Sequence, residues 1–184
     1  MFDINLVKTA AGIKRYHTVD GIEDTVGHHS HGVACLCLYL TDNAASAALL
    51  RAALLHDVEE IFTGDIPAQV KWQNPGLNEE LDIIINQRLE ENDLVVLLSK
   101  QELHILKNAD ILDLIMCCDI HADRGVRIAA ELMWRGLDYL NEEIGLVNDR
   151  ARDLSDKFVA QAQHYDRRFM TFKGLPDKLK MKAI

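Results

Sequence analysis

The sequence predicts an all-α protein built as a single compact helical domain, and three observations carry that expectation. Proline is scarce, at 3 of 184 residues. Alanine, leucine, isoleucine and glutamate, all of which tolerate helical backbone well, recur throughout the chain. Apolar positions return at three- and four-residue steps, and no segment shows the two-residue alternation of a half-buried strand.

Those steps place helices at residues 3–12, 28–40, 44–60, 77–92, 99–120, 121–143 and 146–170. The second is carried by Ser-His-Gly-Val-Ala-Cys-Leu-Cys-Leu, which begins at Ser30. Ala-Ala-Leu-Leu-His-Asp-Val-Glu-Glu, ending at Glu60, closes the third. The fifth carries Ile-Leu-Lys-Asn-Ala-Asp-Ile-Leu-Asp-Leu-Ile, from Ile105 to Ile115. Segments 20–27 and 62–76 hold glycine, proline and asparagine and read as loops. The domain is expected to span residues 3–172, with a lysine-rich, frayed and solvated tail over 173–184.

At 48% hydrophobic residues, the chain can bury a full core. Its formal charge of −9 argues against a broad surface for duplex nucleic acid, which needs many cations to neutralise phosphates. A small anionic substrate needs only two or three local cations. Cys35, Cys37, Cys117 and Cys118 lie in apolar helical patterns without a paired CxxC spacing, so they read as buried, reduced thiols. No apolar run reaches the ~18 residues of a membrane span, and no secretory leader is visible. A soluble, cytoplasmic protein is the expectation. Leu132, Met133, Trp134 and Leu137 exceed what is readily assigned to one core and suggest a homo-oligomer, with an ordinary helical core as the alternative.

Chemistry concentrates at His56-Asp57. An imidazole and a carboxylate are costly to bury among leucines and alanines unless a partner compensates them. Upstream His29 and downstream Asp110 interrupt apolar stripes in the same way, so one divalent cation would compensate all four groups. His28 and His31 stand beside His29, and any of the three imidazoles could supply the ligand. Glu60 follows His56 by four residues and Asp57 by three, which places it on the same helical side one turn later. Two imidazoles and two carboxylates suit Co, Mn, Zn, Fe, Ni or Mg.

The pattern His29…His56-Asp57…Asp110 resembles the HD-domain phosphohydrolases. The words around it, His-Asp-Val-Glu-Glu-Ile-Phe-Thr-Gly-Asp-Ile-Pro-Ala-Gln-Val-Lys from His56 to Lys71, are similar to the group of the bacterial 5′-deoxynucleotidase YfbR and the phage dATP triphosphohydrolase DatZ. This resemblance runs from about Arg15 to Asp110. It implies one divalent transition metal held by His29, His56, Asp57 and Asp110. Glu60 and Asp65 are implied as the catalytic acids, one handling a proton and the other near the line of attack. Arg15, Tyr16 and Lys71 are implied as substrate-binding residues, with Tyr16 standing where relatives tend to have tryptophan. Trp72 reads as packing.

The implied reaction is hydrolysis of 2′-deoxynucleotides at the α-phosphate, in a bacterial or phage setting. The compact interval between Asp57 and Asp110 favours a dATP triphosphohydrolase; a 5′-deoxynucleotidase acting on monophosphates is the alternative. A catalytically silent nucleotide sensor is the alternative of another class. It would be expected to lack a ligand or the nearby acid, whereas this chain keeps His29, His56, Asp57, Glu60, Asp65 and Asp110.

Overall fold

The structure is a computed structural model and describes residues 3–66 and 74–169. Lys71, Gln69 and Trp72, together with the expected 173–184 tail, lie outside the described residues.

The fold is all-α. Helix α1 covers Ile4–Ala10, α2 Val26–Leu40, α3 Ala47–Leu55, α4 Glu60–Thr63, α5 Pro75–Glu91, α6 Lys100–Asp123, α7 Arg127–Tyr139 and α8 Asp149–Phe169. Short polar side chains stop each of several helices from fraying at its start: Asp3, Thr25, Ser46 and Ser99 accept hydrogen bonds from first-turn amides. At Ser99 the arrangement is reciprocal, because Glu102 returns a carboxylate to the Ser99 amide.

Helix α6 is the central element and packs against α2, α3, α7 and α8. Its inward stripe of Ile105, Ala109, Leu112, Ile115, Cys118 and Ala122 follows three- and four-residue spacing. Val33, Leu36 and Cys37 of α2, Met133 and Leu137 of α7, and Phe158 and Tyr165 of α8 complete this core. A smaller cluster of Ala10, Leu55, Val58 and Leu94 joins α1, the end of α3 and the segment after α5. That second cluster holds the chain on both sides of His56-Asp57.

Several expectations are corrected. The predicted 44–60 helix is interrupted after Leu55, and Val58, Glu60, Ile61 and Phe62 donate to carbonyls three residues back. This tighter winding brings side chains three apart into line, so Glu60 follows Asp57 more closely than His56. The predicted 99–120 and 121–143 helices meet elsewhere: α6 runs to Asp123, and the turn to α7 uses Gly125 at φ +101°. The last turn after α7 widens into a π-helical Leu140–Ile144.

A strand pair also appears where none was expected. Lys14–Arg15 (β1) pairs antiparallel with Asp24–Thr25 (β2), placing Arg15 opposite Asp24. Two residues cannot show an alternating pattern. They pair because α1 and α2 are already tied by amides of Val26 and Gly27 donating to Ile13 and Ala11 carbonyls.

Cys37 and Cys118 are buried, but Cys35 is exposed and Cys117 is half-buried; all four are free. Two residues on a helix differ by about 200°, so Cys35 and Cys37 cannot face the same way. Met133, Trp134 and Leu137 lie inside the main core and Leu132 packs against it. An expectation of a homo-oligomer therefore no longer rests on these residues; exposed Ile83 and Ile84 lie instead on α5. Among the described residues, no helix is long and apolar enough to cross a membrane.

Candidate metal and phosphate site

The ends of α2 and α3 and the middle of α6 bring the expected groups together. His29, in the first turns of α2, has no exposed surface. Its Nε2 lies 3.0 Å from His56 Nε2, 3.5 Å from Asp57 Oδ2 and 3.1 Å from Asp110 Oδ1. His56 Nε2 lies 3.4 Å from Asp57 Oδ1 and 3.9 Å from Asp110 Oδ1. Ligand atoms of His29, His56 and Asp57 all fall within 4.8 Å of one another.

Geometry separates the three neighbouring histidines. His28 points outward with a 76% exposed side chain and meets Asp24 at 2.8 Å. His31 is exposed and its Nε2 lies 3.8 Å from Cys35 Sγ. Only His29 of the three turns inward to the His-Asp pair.

The donor set fits a divalent cation. His56 Nδ1 donates to the Ala53 carbonyl at 2.9 Å, so the lone pair of the neutral ring is on Nε2, facing His29. Two imidazole nitrogens and two carboxylates converge there at distances where lone pairs repel unless a proton or an ion lies between them. His29, His56 and Asp57 form a cluster that can hold a metal, and Asp110 stands at its edge.

Without an ion, a proton takes that place. Burial alone would lower the His29 pKa, but the carboxylates of Asp110 and Asp113 outweigh it and raise the value to about 9. For Asp110 burial acts upward, yet the His29 hydrogen bond and the His56 and Arg15 charges hold it below the usual carboxylate range. Glu60 is pushed up to about 7, first by burial and then by the charges of Asp57 and Asp65. A carboxyl poised there can carry a proton in either direction at neutral pH.

The signs for the metal-free protein follow from linkage. Protonated His29 contributes stability that is fully present below its unfolded value of 6.5 and is lost as pH rises through about 9. Glu60, raised from 4.5 to about 7, destabilises the fold as it ionises over that interval. Both act in one direction. Metal-free protein is expected to melt at lower temperature at about pH 8.5 than at about pH 6, and added Co2+ should raise the melting temperature more at the higher pH. Equal Co2+-induced shifts at both pH values, read by differential scanning fluorimetry, would count against proton and metal sharing these ligands.

Arg15 is deeply set, with a 12% exposed side chain, and meets Asp24 Oδ2 at 3.8 Å. Burial would favour loss of its proton, but Tyr16, Asp57, Asp110 and Asp24 keep it charged. Among the described residues Nη1 has no hydrogen-bond partner, and neither do the buried Tyr16 hydroxyl and Glu60 Oε2. Asp65 accepts the Tyr16 amide at 2.8 Å, and Tyr16 takes φ +54°, a left-handed conformation that a bulky side chain seldom adopts. The Tyr16 ring packs against the core with the Arg15 guanidinium 5.4 Å from its centroid. Tyr16 thus supports Arg15 from behind. His17 adds a second neighbour to Asp65, at 3.7 Å.

Two carboxylates escaped the sequence reading. Asp24 is buried beneath Arg15 and His28. Asp113 meets His29 Nδ1 at 2.7 Å. A signal for Asp113 existed in its i+3 spacing from Asp110, which puts both on one helical face; nothing local marked Asp24.

A family model described as 5′-deoxynucleotidase YfbR-like matches residues 5–125. The chain belongs to the YfbR-like 5′-deoxynucleotidase family. No curated protein and no solved structure matches it. The matched span begins in α1 and ends just after α6, enclosing His29, the His56-Asp57 pair, Glu60 and Asp110. Membership identifies a hydrolase family acting on deoxynucleotides and agrees with a divalent metal at the His29, His56 and Asp57 cluster.

Proposed function

We propose that this protein is a metal-dependent 5′-deoxynucleotidase, releasing phosphate from 2′-deoxynucleoside monophosphates. The observation that carries this reading is the charge around the site. Asp24, Asp57, Glu60, Asp65, Asp110 and Asp113 gather there, and Arg15 is the permanent cation that acts on Glu60 and Asp110 among the described residues. Arg15, with Lys71 of the motif, supplies the few local cations that a single phosphate needs. The family description supports the same substrate class.

In this reading His29, His56, Asp57 and Asp110 hold the metal. When bound, a divalent cation supplies Lewis-acid stabilisation of phosphate oxygens and acidifies water. Arg15 holds a phosphate oxygen with the Nη1 that lacks a hydrogen bond. Glu60 takes a proton from the attacking water or gives one to the departing 5′-oxygen. Asp65, by holding the Tyr16 amide, fixes the turn that carries Arg15. Lys71 is assigned to phosphate binding on the motif alone.

A second reading, release of intact triphosphate from dATP or another deoxynucleoside triphosphate, is favoured by the short interval from Asp57 to Asp110. Product analysis by chromatography separates the two. Metal-loaded protein is incubated with dAMP, dATP, dGTP and ATP while deoxynucleoside, phosphate and triphosphate are followed. Phosphate from dAMP alone supports the first reading, and deoxyadenosine plus intact triphosphate from dATP replaces it with the second. Absence of turnover with every divalent metal would bring the sensor reading forward.

A further inference from the structure

His29 has two ring nitrogens with different tasks. Nε2 faces His56, Asp57 and Asp110, while Nδ1 lies 2.7 Å from Asp113 Oδ2. A carboxylate accepts, so Nδ1–H donates, and the neutral ring must carry its lone pair on Nε2. The opposite tautomer would place N–H against the other ligands and leave two acceptors facing at Nδ1.

Asp113 reaches His29 because of a glycine. Gly32 follows His29 by one helical turn, and a Cβ built there would overlap Asp113 Oδ1. Any larger residue would push the carboxylate out of its seat between α2 and α6. His29 is fully enclosed, so its ring has no room to compensate by turning over.

We propose that Asp113, seated in the notch left by Gly32, is the positioning residue that fixes the tautomer and direction of His29. It rests on the metal-site reading above for its consequence, but the tautomer itself does not require a metal. Asp113 touches no reacting atom; it acts through His29. A carboxylate behind an imidazole ligand also increases the basicity of the ligating nitrogen, and loss of such a partner typically costs about 10–100-fold in metal affinity.

The test uses the full chain, Co2+ titration followed by visible absorption, and 15N-histidine NMR of deprotonated His29. Asp113→Ala is expected to weaken Co2+ binding about 10–100-fold and to lose the Nδ1–H tautomer. Asp113→Asn, whose amide oxygen can still accept from Nδ1–H, should recover the tautomer and part of the affinity. Gly32→Ala should weaken Co2+ binding like Asp113→Ala, yet add nothing when Asp113 is already alanine. That non-additivity is not expected of two unrelated structural defects. Unchanged Co2+ affinity and an unchanged His29 tautomer in Asp113→Ala would overturn the proposal. If Asp113→Ala does not fold, Asp113→Asn and Gly32→Ala decide through the same two measurements. Failure of the wild type to bind Co2+ would instead overturn the metal-site reading, with the tautomer measurement still deciding the role of Asp113.

Discussion

Asp57→Ala is expected to abolish metal binding and deoxynucleotide hydrolysis together. Asp57 is the carboxylate whose two oxygens approach the two imidazoles, at 3.5 Å from His29 and 3.4 Å from His56. Without it, the proposed ion loses a neutralising charge and one of its four protein ligands. Losing several kcal/mol of Lewis-acid stabilisation corresponds to a rate loss of about a thousandfold or more. The fold should survive, because the turn after α3 is held by backbone hydrogen bonds and by Leu55 and Val58 in the smaller core. Bound metal is counted by atomic emission after dialysis, and turnover is measured on the same sample. Retention of stoichiometric metal with normal turnover would exclude Asp57 as a ligand.

Glu60→Gln separates chemistry from binding. The substitution preserves size and removes only the ability to exchange a proton, so metal content should stay at the wild-type level. Turnover should fall by about 10²–10⁴-fold, the usual contribution of a positioned acid or base. Glu60 Oε2 is buried without a hydrogen-bond partner among the described residues, and its carboxyl is held near neutral pKa by burial and by Asp57 and Asp65. Neither feature stabilises the fold. Glu60→Gln should therefore melt no lower than the wild type at neutral pH, where relief of an ionised, desolvated carboxyl offsets any lost contact. Near wild-type kcat in this variant would require another residue to carry the proton, and Asp65, whose charge also acts on Glu60, is the candidate. A parallel fall in metal content would instead mean that Glu60 belongs to the ligand set.

Asp65 shows where motif and geometry part. By position it matches a carboxylate near the line of attack, yet its observed work is to hold the Tyr16 amide in a left-handed turn. Both uses can belong to one residue, since a carboxylate has two oxygens. Tyr16 was expected at the substrate, and its ring packs against the main core with the Arg15 guanidinium over it. Sequence proximity to Arg15 was informative about position, while the direction of the ring depended on the φ of one residue.

The sequence by itself determined the helical class, the family resemblance and the His56-Asp57 pair around which a metal site would be drawn. Helical spacing is a local property, and a buried His-Asp pair is chemically costly wherever the chain folds. Local periodicity also marked the apolar run of α6 from Ile105 to Ile115 before any neighbour was known. It could not choose His29 from His28 and His31, because that choice depends on which side of α2 faces α6.

Tertiary packing decided the rest. It closed the gap between His29 and Asp113 through Gly32, placed Asp24 beneath Arg15, and ended α3 so that Asp57 and Glu60 share a tight turn. It also drew Met133, Trp134 and Leu137 inside, where the sequence left interface and core open. Each of these depends on residues from separate helices meeting at distances of a few ångströms. The pattern along one helix shows which side chains share a face; only close packing decides what that face meets and which polar groups find a partner there.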